Sequence, residues 1–259
     1  MQEKPVVFTQ NDNVAIISLN RTKSFNTTNM ELFEEMEACQ NLIEKDSSIR
    51  AVIINGNGDH FCAGIDLNML KAVNSEFILN KLNWLQRVYS RWQEMSIPVI
   101  AAVHGVCYGS GLELIVGCDM RIAAEDAKFS APEVRFGLSP DMGGTVRVTK
   151  LVGVGQAKRL IMACEEIDAA EALRIGLVEV VVPRDQLMER ALKMAKKMAA
   201  LPPASMNFAK KGINMADESS VAAGLLFEQA QSTYCCGTED QTEAISAFLE
   251  KRKPVFNGR

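Results

Sequence analysis

Residues 97–145 decide the fold, and they read IPVIAAVHGVCYGSGLELIVGCDMRIAAEDAKFSAPEVRFGLSPDMGGT. An apolar, β-rich run at 98–103 is followed by a cluster of glycines at 105–111 and then by an apolar segment at 112–116. Glycine allows the backbone conformations that a tight turn needs, and the apolar segment restarts after it. This order predicts a strand, a tight turn and a helix.

The turn at Gly109–Ser110–Gly111 is a candidate site for an anion or a developing oxyanion. Glycines let a ligand approach the backbone closely, and the first amides of a helix have no partner within the helix. The helix dipole also favours negative charge at this end. One carboxylate, Glu113, follows one turn further on.

Glu113 is the first of three carboxylates close to turns in this stretch. Glu133 follows Pro132 within the sequence KFSAPE, and Asp141 lies within SPDMGG. Burial and mutual repulsion raise the pKa of clustered carboxyl groups, so at least one pKa is expected to be raised. The three residues are therefore candidate general acids and bases.

The length and composition indicate a globular domain with a substantial core. The chain has 259 residues, of which 47% are hydrophobic and 23% are charged. A formal net charge of −4 argues against a nucleic-acid surface. The long apolar run at 98–118 is not expected to cross a membrane, because His104 and Glu113 lie inside it.

The cysteines and the start of the chain favour a cytoplasmic protein. The seven cysteines include no C-x-x-C pair and no metal-ligand spacing with the two histidines, so we expect reduced thiols and no metal site. Cys62, Cys107 and Cys118 are expected to be small core residues. Residues 1–15 lack the apolar core of a signal peptide and the arginines of a transit peptide.

Over the whole chain, the pattern predicts alternating strands and helices followed by a helical C-terminal part. The expected boundary lies near Pro202, giving a core at 1–200 and a helical region at 201–259. Strands are predicted at 6–9, 14–19, 51–55, 98–103, 120–123 and 177–182, and helices at 28–43, 77–95, 153–161, 169–174, 186–201, 204–216, 219–233 and 238–251.

A second strand-to-helix turn, like the one around Gly109–Ser110–Gly111, is predicted at residues 56–67, which read GNGDHFCAGIDL. These two strand-to-helix turns are called the two corners. Both corners offer small residues, Ala63 and Gly64 in one and Ser110 and Gly111 in the other. An oxyanion hole needs two converging backbone donors, and the two corners together are able to provide them.

The motifs of the chain, in their order, resemble those of the enoyl-CoA hydratase/isomerase family, also called crotonases. The resemblance covers nearly the whole chain. It implies a spiral of strand-strand-helix turns with a C-terminal helical region that helps to form trimers, often paired into hexamers. The motifs are HFCAGIDL (60–67), PVIAAVHG (98–105), GSGLEL (109–114), CD (118–119), PDMGG (140–144) and the closing run at 238–254.

The resemblance also implies an acyl-CoA thioester as the substrate and no further cofactor. It places the two oxyanion donors on the backbone amides of Ala63 and Ser110. In family hydratases, the residue at the position of Glu113 orients and deprotonates the attacking water, and the one at Glu133 protonates C2. The other positions expected to contact the substrate are Lys23, Gly64, Ile65, Asp66, Leu67, Gly109, Pro132, Met142, Phe248 and Lys251.

Asp141 leaves the reaction open. Typical hydratases carry glycine at this position, whereas dienoyl-CoA isomerases carry aspartate there and use it with the Glu133 equivalent as a proton shuttle. Those isomerases usually have aspartate at the position of Glu113, where this chain has glutamate. The sequence favours a hydratase, with an isomerase as the alternative.

Two alternative functions of other classes, a hydrolase and a non-catalytic binding protein, are less well supported by the sequence. The spacing Gly105-Val-Cys107-Tyr-Gly109 fits a nucleophile elbow with cysteine, but both histidines precede the cysteine, whereas that fold places its histidine after the nucleophile. A non-catalytic binding protein on the same frame is disfavoured because Glu113, Glu133 and both glycine corners are present.

Overall fold

The computed structural model describes residues 4–259, in which two sheets and a set of helices form the fold. The strands are β1 (Val6–Asn11), β2 (Val14–Leu19), β3 (Ala51–Gly56), β4 (Val99–Val103), β5 (Val106–Tyr108), β6 (Met120–Ala124), β7 (Lys128–Ser130), β8 (Ile167–Asp168) and β9 (Val180–Val182). The helices are α1 (Met30–Lys45), α2 (Leu67–Ala72), α3 (Ser75–Glu94), α4 (Ser110–Val116), α5 (Thr149–Met162), α6 (Ala169–Arg174), α7 (Leu187–Ala199), α8 (Pro203–Glu218), α9 (Val221–Cys235) and α10 (Glu239–Leu249). A 3-10 turn at Glu133–Phe136 and a π-helical turn at Gly144–Val148 lie between β7 and α5.

The larger sheet has the strand order β1-β2-β3-β4-β6-β9. The predicted hairpin of β1 and β2 is antiparallel, and each later pair in this sheet is parallel. Parallel strands are usually buried on both faces, which explains their continuous apolar runs. One face of the sheet packs on α1 and α3, and the other packs on the alanines of α7, Ala191, Ala195 and Ala199. The predicted α/β architecture is confirmed.

The smaller sheet, β5-β7-β8, was not predicted and changes the expected path into α4. Residues 98–103 do not lead directly through a turn into the helix, because Val106–Tyr108 first forms β5 and pairs in parallel with β7. This short strand brings Gly109 to the start of α4 with φ of 49°. Cys62, Cys107 and Cys118 are buried, as expected.

The strand predicted at 177–182 is shorter in the structure. Only Val180–Val182 forms β9. The amides of Leu177 and Val178 both donate to the carbonyl of Ala172 and so close the end of α6. An apolar run of this kind does not reveal where the chain leaves a helix cap and enters a strand.

The C-terminal helices α8, α9 and α10 follow the core, as predicted. Phe208 of α8 packs on Phe227 and Tyr234 of α9, with ring centroids 6.2 and 5.2 Å apart. Several large apolar side chains on α9 and α10 are exposed in the single chain, among them Val221, Leu225, Leu226, Phe248 and Leu249. The division at residue 200 and the role of this region in trimers remain predictions. None of the helices within residues 4–259 is long and apolar enough to cross a membrane.

A buried ion pair fixes α8 to the core. The Nζ of Lys210 lies 2.8 Å from the carboxylate of Asp119 and donates to the carbonyls of Trp92 and Ile97 at 2.9 and 3.0 Å. The same Asp119 carboxylate accepts the amide of Val99, the first residue of β4. Burial lowers the pKa of Lys210 and raises that of Asp119, and the attraction between the two charges opposes both shifts.

We expect Lys210→Met to destabilise the fold, because it leaves the Asp119 carboxylate and two carbonyls buried without their donor. The expected loss in the free energy of unfolding is about 3–5 kcal/mol. Urea unfolding of wild type and variant measures it. The control is Lys211→Met, which changes an exposed lysine on the same helix. Equal stability of the two variants would show that the buried pair does not hold α8.

Candidate active site

Glu113 lies at the centre of the candidate site, on the helix that follows the glycine corner. Glu113 is buried, with 3% of its surface exposed. Its Oε1 accepts the amides of Met142 and Gly144 at 2.8 and 3.0 Å. Burial raises the pKa of Glu113 from its ordinary 4.5 to about 8, with a further rise from the nearby Glu133 and Asp141 charges, although both amide bonds act in the opposite direction. The sequence prediction of a raised carboxyl pKa is confirmed.

The loop whose amides bind Glu113 is fixed by side chains that donate hydrogen bonds to its carbonyls. Gln86 of α3 donates to the carbonyl of Asp141 at 2.7 Å, and Thr145 donates to that of Pro140 at 2.7 Å. Arg147 donates to the carbonyl of Met142 at 3.3 Å. With its carbonyls bound on one side, the loop presents the amides of Met142 and Gly144 to Glu113.

Arg147 is in turn fixed by α3. Its Nη2 donates to Ser90 at 2.8 Å and its Nε donates to Gln93 at 2.9 Å. Gln86 and Arg147 were not predicted from the sequence. Neither residue lies in a recognisable motif, and Gln86 is distant in sequence from the loop that it contacts.

Glu133 has a different environment from Glu113. Both of its carboxyl oxygens are buried and have no hydrogen-bond partner in residues 4–259. Pro132 precedes it at the start of the 3-10 turn. Burial, followed by repulsion from Asp141, raises its pKa. A buried carboxyl group without donors favours its neutral, protonated form, so Glu133 is suited to give up a proton.

Glu133 lies beside the glycine corner. A Cβ atom at Gly109 would be 3.1 Å from its Oε1, so glycine lets this carboxyl group approach the corner closely. A ligand bound at the corner would therefore lie close to the carboxyl group.

Asp141 completes the predicted carboxylate cluster. It lines a cavity of about 770 Å³ between α3, the loop at 140–147 and α8. Partial burial raises its pKa, and its charge raises the pKa values of both glutamates. The structure thus brings together the three carboxylates that the sequence singled out.

The oxyanion donor predicted at Ala63 is wrong in this structure. The Ala63 amide donates to the carbonyl of Phe25 at 3.0 Å, so it is already used. The amide of Ile65, two residues later, donates no hydrogen bond to any residue in 4–259, and the same holds for the Ser110 amide at the start of α4. Within residues 4–259, the free amides of the two corners therefore include those of Gly64 and Ile65 in one and those of Ser110 and Gly111 in the other.

The two corners lie side by side. Cys62 and Cys107 form an isolated parallel bridge, in which the Cys62 amide donates to the Val106 carbonyl at 3.0 Å and the Tyr108 amide donates to the Cys62 carbonyl at 2.9 Å. Gly64, with φ of 105°, follows this bridge in one corner, and a Cβ on Gly109 in the other would lie 3.8 Å from its Cα.

The remaining predicted contact residues are spread over several places. Asp66 is engaged, since it accepts from Arg21 at 2.8 Å and caps α2, and these hydrogen bonds lower its pKa. Leu67 is exposed, and Lys23 lines a separate cavity of about 270 Å³ beside His60. Phe248 is 84% exposed and Lys251 lies just beyond α10. Binding of substrate by these residues remains a prediction.

Within residues 4–259, no group of three or more histidine, cysteine or acidic side chains is arranged to hold a metal ion. The cysteine of the nucleophile-elbow spacing, Cys107, is fully buried, and burial raises the pKa of its thiol well above the ordinary range. Such a thiol is inert as a nucleophile, which argues against the hydrolase alternative.

Comparison with known proteins supports the resemblance found in the sequence. Residues 9–259 match the model of a family described as enoyl-CoA hydratase/isomerase. The chain is 39% identical over 255 residues to a short-chain-enoyl-CoA hydratase of Clostridium acetobutylicum, covering 98% of this chain and 97% of the relative. It is 37% identical over 258 residues to a 2,3-dehydroadipyl-CoA hydratase of Escherichia coli, covering 98% of this chain and 99% of the relative.

A solved structure shows the same fold. The crystal structure of an enoyl-CoA hydratase from Bacillus anthracis matches with a TM-score of 0.95 and 35% sequence identity, covering 98% of this chain and 100% of that chain. The crotonase-like fold with C-terminal helices, expected from the motifs, is therefore confirmed.

The raised pKa of Glu113 predicts a pH-dependent effect of Glu113→Gln on stability. The folded chain holds this proton more tightly than the unfolded chain, so the contribution is fully present below the ordinary pKa of 4.5 and is lost as the pH rises through about 8. Glutamine keeps the acceptor oxygen and cannot ionise. Relative to wild type, the variant should gain roughly 2–4 kcal/mol between about pH 5 and pH 8.5.

Urea unfolding at both pH values measures this difference. Glu34→Gln, at an exposed position on α1, serves as the control and should leave the pH dependence of wild type unchanged. A Glu113→Gln variant whose stability follows that of wild type at both pH values would contradict the raised pKa.

Proposed function

The chain belongs to the enoyl-CoA hydratase/isomerase family, and on that premise we propose that it adds water across the 2,3 double bond of a 2-enoyl-CoA. The observation that carries the proposal is the contrast between two carboxyl groups beside the same corner. Glu113 accepts two amide hydrogen bonds, whereas both oxygens of Glu133 lack a partner within residues 4–259. Different environments of this kind assign different acid and base roles to neighbouring carboxyl groups.

The amides of Ile65 and Ser110 take the oxyanion role in this mechanism. As water adds to C3, negative charge moves onto the thioester oxygen, and two backbone donors stabilise the resulting enolate. One such donor contributes about 3–4 kcal/mol to transition-state stabilisation. The donor at position 110 is a backbone amide, so it does not depend on the serine side chain.

The two glutamates move the protons. Glu113 acts in its ionised form, which predominates above a pH of about 8: it orients the water and accepts its proton as the oxygen bonds to C3, and the amides of Met142 and Gly144 stabilise this carboxylate form. Glu133, whose pKa is raised by burial, delivers its proton to C2 as the enolate collapses. Transfer of a proton from Glu113 back to Glu133 resets the site, so the net change is the addition of one water.

The alternative reaction is isomerisation of a dienoyl-CoA or enoyl-CoA. Asp141 favours it, because this carboxyl group lines the large cavity and its charge acts on Glu133. Glu133 and Asp141 would then carry one proton along the acyl chain. The names of the two relatives quoted above, both hydratases, support the first reaction.

The proposed hydration depends on Glu113 and not on Asp141. With crotonyl-CoA, we expect Glu113→Gln to reduce kcat by roughly 10²–10⁴-fold, the usual contribution of general acid–base catalysis. Asp141→Asn should retain kcat within about threefold, since it removes no group that the hydration uses. Loss of enoyl absorbance measures the rate, and a 3,5-dienoyl-CoA is assayed in parallel. Diene rearrangement that requires Asp141 and not Glu113 would establish the isomerase instead.

We also propose that the chain self-associates through its C-terminal helices into a homotrimer or homohexamer. The exposed apolar side chains of α9 and α10, including Leu226 and Phe248, support this, since they are unusual on the surface of a free monomer.

Sedimentation equilibrium tests the proposed assembly. The expected mass is three or six times that of the 28.5 kDa chain. Leu226→Glu places a charge on the exposed face of α9 and should shift the mass toward one chain, whereas Glu228→Gln on the same helix should not. A wild-type monomer at micromolar concentration would contradict the proposal.

A further inference from the structure

A buried cluster of three hydroxyl groups lies behind the two corners. The Oγ of Ser110 is 2.9 Å from Oγ1 of Thr28 and 2.7 Å from the hydroxyl of Tyr89. Ser110 is 4% exposed, and Thr28 and Tyr89 are fully buried. None of the three hydroxyl groups is needed for the proton transfers of the proposed hydration. A glycine at position 110 would provide the same amide without this hydroxyl.

Thr28 also holds the other corner through its backbone. Its amide donates to the carbonyl of Gly64 at 2.8 Å, and its carbonyl accepts the amide of Asp66 at 2.9 Å. These two bonds are made to the residues on either side of Ile65, which pairs with Thr28 as an isolated parallel bridge. Thr28 therefore contacts one corner with its backbone and the other with its side chain.

The corners are also linked by other backbone bonds and by the close packing of Gly64 on Gly109 and of Cys62 on Gly111. The bridge of Cys62 and Cys107 joins the chains before each corner and ends at the bond from the Tyr108 amide. Arg21 and Phe25 bind the first corner, through Asp66 and Ala63, but not Ser110. The hydroxyl of Thr28 makes a further connection beyond the bridge, next to Ile65 and Ser110.

We propose that Thr28, acting through the hydroxyls of Ser110 and Tyr89, is a positioning residue that sets the distance between the Ile65 and Ser110 amides. The inference rests on the proposed function, in which these amides bind the thioester oxygen. Oxyanion donors must lie about 2.7–3.1 Å from the developing charge, and small displacements of reacting groups cost large factors in rate. A fully buried threonine affects catalysis only through the groups that it holds.

The test is Thr28→Val, which keeps the shape of the side chain and removes its hydroxyl. We expect kcat for crotonyl-CoA to fall about tenfold, since a displaced donor loses part of the roughly 10²–10³-fold that one donor contributes. KM should stay within about twofold, because the substrate's other contacts are retained. Thr28→Ser restores the hydroxyl and should recover most of kcat.

A spectroscopic measurement separates positioning from simple destabilisation. A chromophoric thioester such as 4-(dimethylamino)cinnamoyl-CoA absorbs at longer wavelength when its carbonyl is polarised by hydrogen-bond donors. Thr28→Val should reduce the red shift on binding, and Thr28→Ser should restore it. The control is Ala191→Gly, which weakens α7 on the opposite face of the larger sheet and contacts neither corner nor α3. It should lower stability and leave both kcat and the red shift unchanged.

Tyr89→Phe is the second variant if Thr28→Val does not fold. It removes one of the two hydrogen bonds to the Ser110 hydroxyl and keeps the Thr28 bond, so its effect on the red shift should be in the same direction and smaller. Full kcat and full red shift in a folded Thr28→Val or Tyr89→Phe variant would overturn the inference.

The outcomes also distinguish this inference from the proposed function. A wild-type protein that red-shifts the absorbance of the probe but hydrates no enoyl-CoA would refute the proposed hydratase. The effect of Thr28→Val on that red shift would still test the positioning role of Thr28. A wild-type protein that neither shifts the probe nor hydrates would contradict both.

Discussion

The buried carboxyl group of Glu113 imposes a requirement on everything around it. A carboxylate removed from water needs donors, and here the donors are two backbone amides of one loop, at Met142 and Gly144. A loop presents two amides to one oxygen only if its own carbonyls are held on the other side. Gln86 and Arg147 provide that support, and α3 fixes both of them relative to the core. A chain of contacts therefore links the packing of α3 against the sheet to the carboxyl group of Glu113, which is proposed to activate water.

At the two corners, too, some backbone amides are used in hydrogen bonds and others are left free. The chain around residues 62–66 uses the amides of Cys62, Ala63 and Asp66 internally and leaves those of Gly64 and Ile65 free. In the second corner, the amide of Gly109 donates to Ser130 while that of Ser110 remains free. The neighbouring bonds hold each corner rigid, so a free amide beside them keeps a fixed direction. A preorganised donor of this kind costs no reorganisation when charge develops.

Much of this arrangement was predictable from the sequence, and the exceptions have a common physical cause. The apolar runs of the strands, the glycine corners and the three carboxylates follow local rules, so their existence and their clustering were correctly inferred. The donor at Ala63 was wrong because its amide is satisfied by Phe25, which lies 38 positions earlier in a loop whose path no local pattern reveals. β5, Gln86 and Arg147 were missed for the same reason, since each owes its role to partners distant in sequence. What the sequence did not reveal is which backbone groups are already used.

The ion pair of Lys210 with Asp119 has a consequence for the order in which the molecule can be completed. Synthesis on the ribosome proceeds from the amino end, so the strands of the larger sheet, ending at Val182, are all made before residue 210 emerges. Until then, Asp119 and the carbonyls of Trp92 and Ile97 lack the cation that binds them in the finished protein. A nascent chain ending before α8 therefore contains every strand of the sheet and an acid that resists burial. The ion pair of Lys210 with Asp119 is therefore among the last contacts that become available as the chain is made.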